Sequence, residues 1–155
     1  MKKSSFRIVP LRTEVAASAR RAAAAGASDH AVITADSPSK YPCRHCLTWA
    51  KPGEKVVLFP FAAIAPGHPY SESGPIFVHL RACDRYAAVD KFPNEFRSGR
   101  VLRAYDSSNH IIDGEVVNGE GPEPVIERFF EKPETAFVHV RSATHGCFTM
   151  EVARI

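Results

Sequence analysis

The chain has 155 residues, 45% hydrophobic and 24% charged, with 20 basic and 17 acidic side chains for a net charge of +3. That length and composition fit one globular domain of residues 1–155 and exclude fibrous and disordered classes, while the near balance of charge argues against nucleic-acid binding driven by phosphate contacts. No apolar run is long enough to span a bilayer, and Met1 to Arg12 carries lysines without the apolar core of a secretion signal, so a cytoplasmic protein without a membrane partner is expected.

Phe6 to Val9 reads as a short strand. Thr13 is placed to cap a helix with Glu14 in its first turn, Val15, Ala16, Ala19, Ala22 and Ala23 on one side, and Gly26 at its end. Such an alanine stripe lets a helix lie close to its neighbour while burying little area per residue. Ala31 to Thr34 is a strand, and Asp36 to Ser39 is a loop leading into Tyr41-Pro42-Cys43-Arg44-His45-Cys46. Pro52-Gly53 marks a turn before Lys55 to Phe61, whose continuous apolar run predicts a buried strand. Ala65 to Pro75, rich in proline and glycine, reads as loop, and Ile76 to Arg81 as strand.

Asp84 to Arg100 predicts a short helical turn and a helix starting near Pro93. Val101 to Tyr105 is a strand, and His110 to Val117 is another, with Asp113-Gly114 as either an interruption or a hairpin turn. Pro122 and Pro124 open a helix with Val125, Ile126, Phe129 and Phe130 on one face. Thr135 to Arg141 and Cys147 to Arg154 form a hairpin joined by Ser142 to Gly146. The pattern predicts an α+β fold: one mostly antiparallel sheet with two or three helices packed on one face.

The sequence contains an echo. Phe77-Val78-His79-Leu80-Arg81 recurs as Phe137-Val138-His139-Val140-Arg141, each followed by a cysteine, Cys83 and Cys147. Strand alternation sends His79, Arg81, His139 and Arg141 to the face opposite the aliphatic residues. If the strands are close, two imidazoles and two guanidiniums converge as a carboxylate or phosphate site requires, with Cys147 at its rim. The polar outer face of a one-sided sheet produces the same pattern, and Glu151 can neutralise Arg141 across the hairpin.

Cys43 and Cys46 have the spacing of a zinc half-site or a redox dithiol, and His79 with Cys83 supplies the other half of a Cys3His zinc set. For redox work, Arg44 and His45 between the thiols would lower a thiol pKa. Buried, inert thiols are the third reading. Cys147 near His139 or His145 is a candidate nucleophile if an imidazole reaches it. No phosphate-binding loop, dinucleotide fingerprint or nucleophile elbow occurs.

Tyr41-Pro42-Cys43-Arg44-His45-Cys46-Leu47, Gly53-Glu54, Ser73 to His79, Arg103 to Asp106, and Phe137 to Arg141 with Gly146-Cys147-Phe148 together resemble the bacterial domain-of-unknown-function family twelve-oh-three over nearly the whole chain. The resemblance implies one domain in a bacterial cytosol and no particular activity. Two functions follow from the residues. One is a small-molecule or anion-binding domain, enzymatic or not, that uses His79, Arg81, His139, Arg141 and Cys147. The other is an interaction or scaffold domain with zinc on Cys43, Cys46, His79 and Cys83.

Overall fold

Residues 5–155 are described by a computed structural model in which ten strands form two five-stranded sheets. In chain order they are β1 (Phe6–Val9), α1 (Thr13–Ala24), β2 (Ala31–Thr34), β3 (Pro42–Cys43), β4 (Thr48–Trp49), β5 (Lys55–Ile64) and β6 (Glu72–His79). There follow β7 (Arg100–Tyr105), β8 (Ile111–Val117), α2 (Glu123–Glu131), β9 (Phe137–Ser142) and β10 (Phe148–Arg154). The chain divides into two compact units, the division falling within β5 after Phe61 and within β6 after Glu72.

The first unit, built from 5–9, 62–72 and 88–155, holds the sheet β1-β10-β9-β7-β8, antiparallel throughout. The hairpin β9–β10 forms where alternation predicts it, closed by Ser142 N–H on Cys147 O at 3.1 Å, with a bulge between Phe148 and Met150. Gly114 lies opposite Arg103 inside β8, so Asp113-Gly114 continues the strand and makes no turn. Helix α2 buries Val125, Ile126, Phe129 and Phe130 as its spacing requires. Ion pairs Arg128–Glu115 at 2.7 Å and Lys132–Asp113 at 2.9 Å tie it to β8. The segment before β7 contains one 3-10 turn, Asn94–Phe96, in place of the expected helix; Pro93 precedes it and Gly99, at φ +67°, follows within three residues, leaving no room for an α-turn to propagate.

The second unit, 10–61 and 73–87, holds the mixed sheet β2-β5-β6-β3-β4 and α1. Ala16 and Ala19 of α1 pack with Leu11 against Val57, Phe59, Ile76 and Val78. Each of those four large side chains contributes about 1.5–3 kcal/mol by burial, and the small alanines let the helix approach them. Gly26, at φ +77°, closes α1: its N–H reaches Ala23 O and that of Ala27 reaches Ala22 O, at 3.1 and 3.0 Å. The expected single sheet with helices on one face is therefore corrected to two sheets, each unit carrying one helix. Glycine and proline at 74–75 predict loop, yet β6 runs through them and stops at His79. Among the described residues no helix is long and apolar enough to cross a membrane.

Candidate metal centre

Strands β3 and β4 are two residues each; Cys43 ends β3 and Cys46 lies in the turn between the two strands. Leu47 closes it by donating its N–H to Cys43 O at 2.9 Å, in a left-handed conformation at φ 56°. That conformation costs a non-glycine residue about 1–2 kcal/mol, offset here by burial of the leucine side chain to 1% exposure. β3 runs parallel to β6 with Cys43 opposite Phe77. His79, two residues further on, consequently donates its N–H to Cys43 Sγ at 3.3 Å. Beyond His79 the strand ends, Leu80 N–H is held by Lys55 O at 2.9 Å, and the chain returns Cys83 Sγ to 3.9 Å from Cys43 Sγ.

One donor atom from each of Cys43, Cys46, His79 and Cys83 lies within 4.8 Å of all the others. Zn–S bonds of about 2.3 Å and a Zn–N bond of about 2.0 Å at tetrahedral angles require S···S of about 3.8 Å and S···N of about 3.5 Å. The Cys43–Cys83 separation of 3.9 Å and the Cys46–His79 Nδ1 separation of 3.4 Å meet that requirement.

The surroundings are ordered around these four. His79 turns Nδ1 toward the sulfurs and places Nε2 3.5 Å from Glu54 Oε1, the carboxylate–imidazole pairing that fixes a metal-bound histidine. The Lys51 N–H, at 2.7 Å, and then His79 hold the Glu54 carboxyl below its ordinary range. Cys83 Sγ lies 3.2 Å from His45 Nδ1 and receives Arg20 Nη2–H at 3.5 Å, while Arg20 Nε–H binds His79 O at 2.8 Å. Thr13 Oγ1 lies 2.9 Å from His45 Nε2. Burial lowers the His45 pKa; beside a thiolate at Cys83, which can only accept, Nδ1 would carry the proton and Nε2 would accept from the Thr13 hydroxyl. This use of the Thr13 hydroxyl explains why Thr13 does not cap α1: Arg12 stands at the cap position and the helix start has no side-chain cap.

The metal-free cluster shares protons unevenly. Cys43 is driven down by its hydrogen bonds from Cys46 and Cys83, Cys83 is pushed up by the sulfurs of Cys43 and Cys46, and His79 is raised to about 10 because those same two sulfurs accept from it. Crowded donors competing for protons are what a divalent cation replaces. The four clustered residues are legible in the sequence, whereas Arg20, Thr13 and the role of Glu54 are not; His45, expected to act on the two thiols that flank it, has its sulfur contact with Cys83. Arg44 donates from Nη1 to Pro42 O at 2.7 Å.

The residues proposed for a ligand face are distributed differently. His79 belongs to the Cys3His cluster, and Arg81, expected beside it, lies past the end of β6 and is exposed. His139 and Arg141 sit on β9 in the other sheet and the other unit, with exposures of 1% and 4%. β9 is central there, which is why they are buried where a solvated face was one expectation. His139 Nε2 lies 3.3 Å from Glu151 Oε1 among the rings of Tyr105, Phe137 and Phe148, and Arg141 pairs with Glu72 and donates to Gly146 O. His79, His139 and Arg141 thus each lie beside a carboxylate of their own, Glu54, Glu151 and Glu72. Cys147 Sγ has its contact with His145 O at 3.8 Å, and His145 Nδ1 is taken by Thr144, so Cys147 has no imidazole partner among the described residues.

Compared with known proteins, residues 40–154 match the family described as "Protein of unknown function (DUF1203)". No curated protein and no solved structure matches the chain.

Proposed function

Because the chain belongs to the DUF1203 family of proteins of unknown function, which hands on no activity, we propose from the cluster itself that this is a zinc-binding interaction or scaffold domain with one structural Zn2+ on Cys43, Cys46, His79 and Cys83. The observation that carries the reading is the mutual approach of four donor atoms to within 4.8 Å. Three thiolates and an imidazole select a soft or borderline ion with tetrahedral preference, and disfavour calcium and magnesium, which take oxygen ligands. Four protein ligands close the coordination sphere, leaving no position for substrate. The ion therefore organises the β3–β4 turn, the end of β6 and, through Arg20, helix α1. Three thiolates on Zn2+ leave one net negative charge, which the Arg20 guanidinium offsets.

Elemental analysis of protein purified without chelator tests this reading. One zinc per chain is expected, with loss of zinc and of order in the second unit in His79→Ala; zinc-free wild type, or His79→Ala with full zinc content, contradicts it.

A second reading rests on a different observation. Buried His139 Nδ1 and Arg141 Nε have no partner among the described residues, and a buried polar atom without a partner calls for a ligand or water. A small anion at Arg141 would displace the Glu72 carboxylate, 43% exposed. Calorimetric titration with inorganic phosphate separates the outcomes: binding abolished in Arg141→Met and strengthened in Glu72→Ala supports this reading, and no heat in any of the three proteins removes it.

A further inference from the structure

The three sulfurs of the centre are not equivalent, and the difference, which rests on the zinc reading above, identifies a modification site. Cys43 Sγ is fully buried, at 0% exposure, and accepts the His79 N–H. Cys83 Sγ is half-buried and faces two nitrogen donors outside the ligand set, His45 Nδ1 at 3.2 Å and Arg20 Nη2 at 3.5 Å. Cys46 Sγ, also half-buried, has Thr48 Oγ1 at 3.2 Å as its contact outside the ligand set among the described residues. N–H donors withdraw charge from a thiolate, and a guanidinium does so most, so a zinc-bound sulfur with fewer of them keeps more of its nucleophilicity. Burial denies reagent to Cys43, and Arg20 with His45 quiets Cys83.

We propose that Cys46 is the reactive thiolate of the centre, the position at which soft electrophiles and peroxides attack first and open the metal site. With hydrogen peroxide as oxidant, the Cys46 sulfur attacks one peroxide oxygen, the O–O bond breaks, and Cys46 sulfenic acid and hydroxide result. The Cys43 thiolate, three residues earlier, then attacks the sulfenic sulfur, a second hydroxide leaves, and a Cys43–Cys46 disulfide forms. Two thiolates have lost two electrons to the peroxide, and Zn2+ retains only His79 and Cys83 and departs. Thiol reductants reverse the step by exchange.

The test treats zinc-loaded protein with substoichiometric N-ethylmaleimide and maps the label by peptide mass spectrometry, after zinc content has been measured on the same sample. Cys147, outside the centre, is the internal reference and reacts alike in loaded and chelator-treated protein. Label at Cys46 ahead of Cys43 and Cys83, with a Cys43–Cys46 disulfide and zinc release under hydrogen peroxide, is the expected result. In Arg20→Met, Cys83 is expected to gain reactivity by about tenfold or more, the factor implied by loss of one charge-assisted hydrogen bond. One zinc per chain with Cys83 or Cys43 labelled first overturns this inference and leaves the zinc reading standing. A zinc-free sample overturns both.

Discussion

Glu54 touches no sulfur, yet its carboxylate 3.5 Å from His79 Nε2 aims Nδ1 at the cluster. Replacing such a partner costs about 10–100-fold in metal affinity. Glu54→Gln is therefore expected to weaken zinc binding by about that factor in a chelator competition while still binding one ion; unchanged affinity would detach Glu54 from the centre. His79 also sets the pH behaviour of the metal-free chain. Its pKa is raised in the fold from 6.5 to about 10, so the folded state binds the extra proton more tightly than the unfolded one. That stabilisation is complete below about pH 6.5 and is lost as pH rises toward 10. The zinc-loaded chain has the opposite dependence at the low end, because protons compete with the ion for sulfur and imidazole. In the metal-free chain the Cys43 and Cys46 thiols, held below their ordinary range by the same contacts, have the opposite sign and gain stability as pH rises to about 9, so they offset His79 through neutral pH. Denaturant midpoints of the metal-free form should therefore fall only above about pH 9 while those of the loaded form hold; a metal-free midpoint that also holds there would mean that His79 does not titrate in the cluster.

At the level of elements, α1 and α2 are held by different means. Ala16, with no exposure, faces close neighbours, and Ala16→Leu is expected to cost about 1–3 kcal/mol by overpacking. Phe129, 1% exposed on α2, belongs to the other unit, and Phe129→Ala is expected to cost about 3–5 kcal/mol with zinc stoichiometry unchanged. Urea denaturation with parallel metal analysis checks both, and loss of zinc in Phe129→Ala would show the centre to depend on α2. The local elements were legible where period and punctuation agree: β1, β2, the β9–β10 hairpin, and both helices with Gly26 and Pro122 near their ends. Legibility failed where tertiary pairing overrides local signals. Gly74 and Pro75 read as loop, but β6 runs through them, and the two-residue strands β3 and β4 have no periodicity to detect. Thr13 has the chemistry of a cap, and only the fold reveals that His45 claims its hydroxyl.

Over the whole molecule, the four metal-ligand candidates were readable from spacing because a Cys-x-x-Cys pair limits the chemistry of its partners. The pairing of the echoed pentapeptides was not readable, because alternation says which face a residue takes and nothing about which sheet it joins. β6 and β9 entered different sheets, and identical local sequences acquired different neighbours: sulfurs and Glu54 for His79, aromatic rings and Glu151 for His139. Chelation should act on one unit, since all four candidate ligands belong to the second. Hydrogen exchange before and after chelator is expected to show lost protection in β3, β4 and the end of β6, with β9 and β10 retained. Uniform protection would remove the organising role of the ion.

The most direct measurement is X-ray absorption at the zinc edge of the purified, untreated protein. The account predicts three sulfur scatterers at about 2.3 Å and one nitrogen at about 2.0 Å. A shell of oxygen scatterers, or no zinc edge at all, would contradict it.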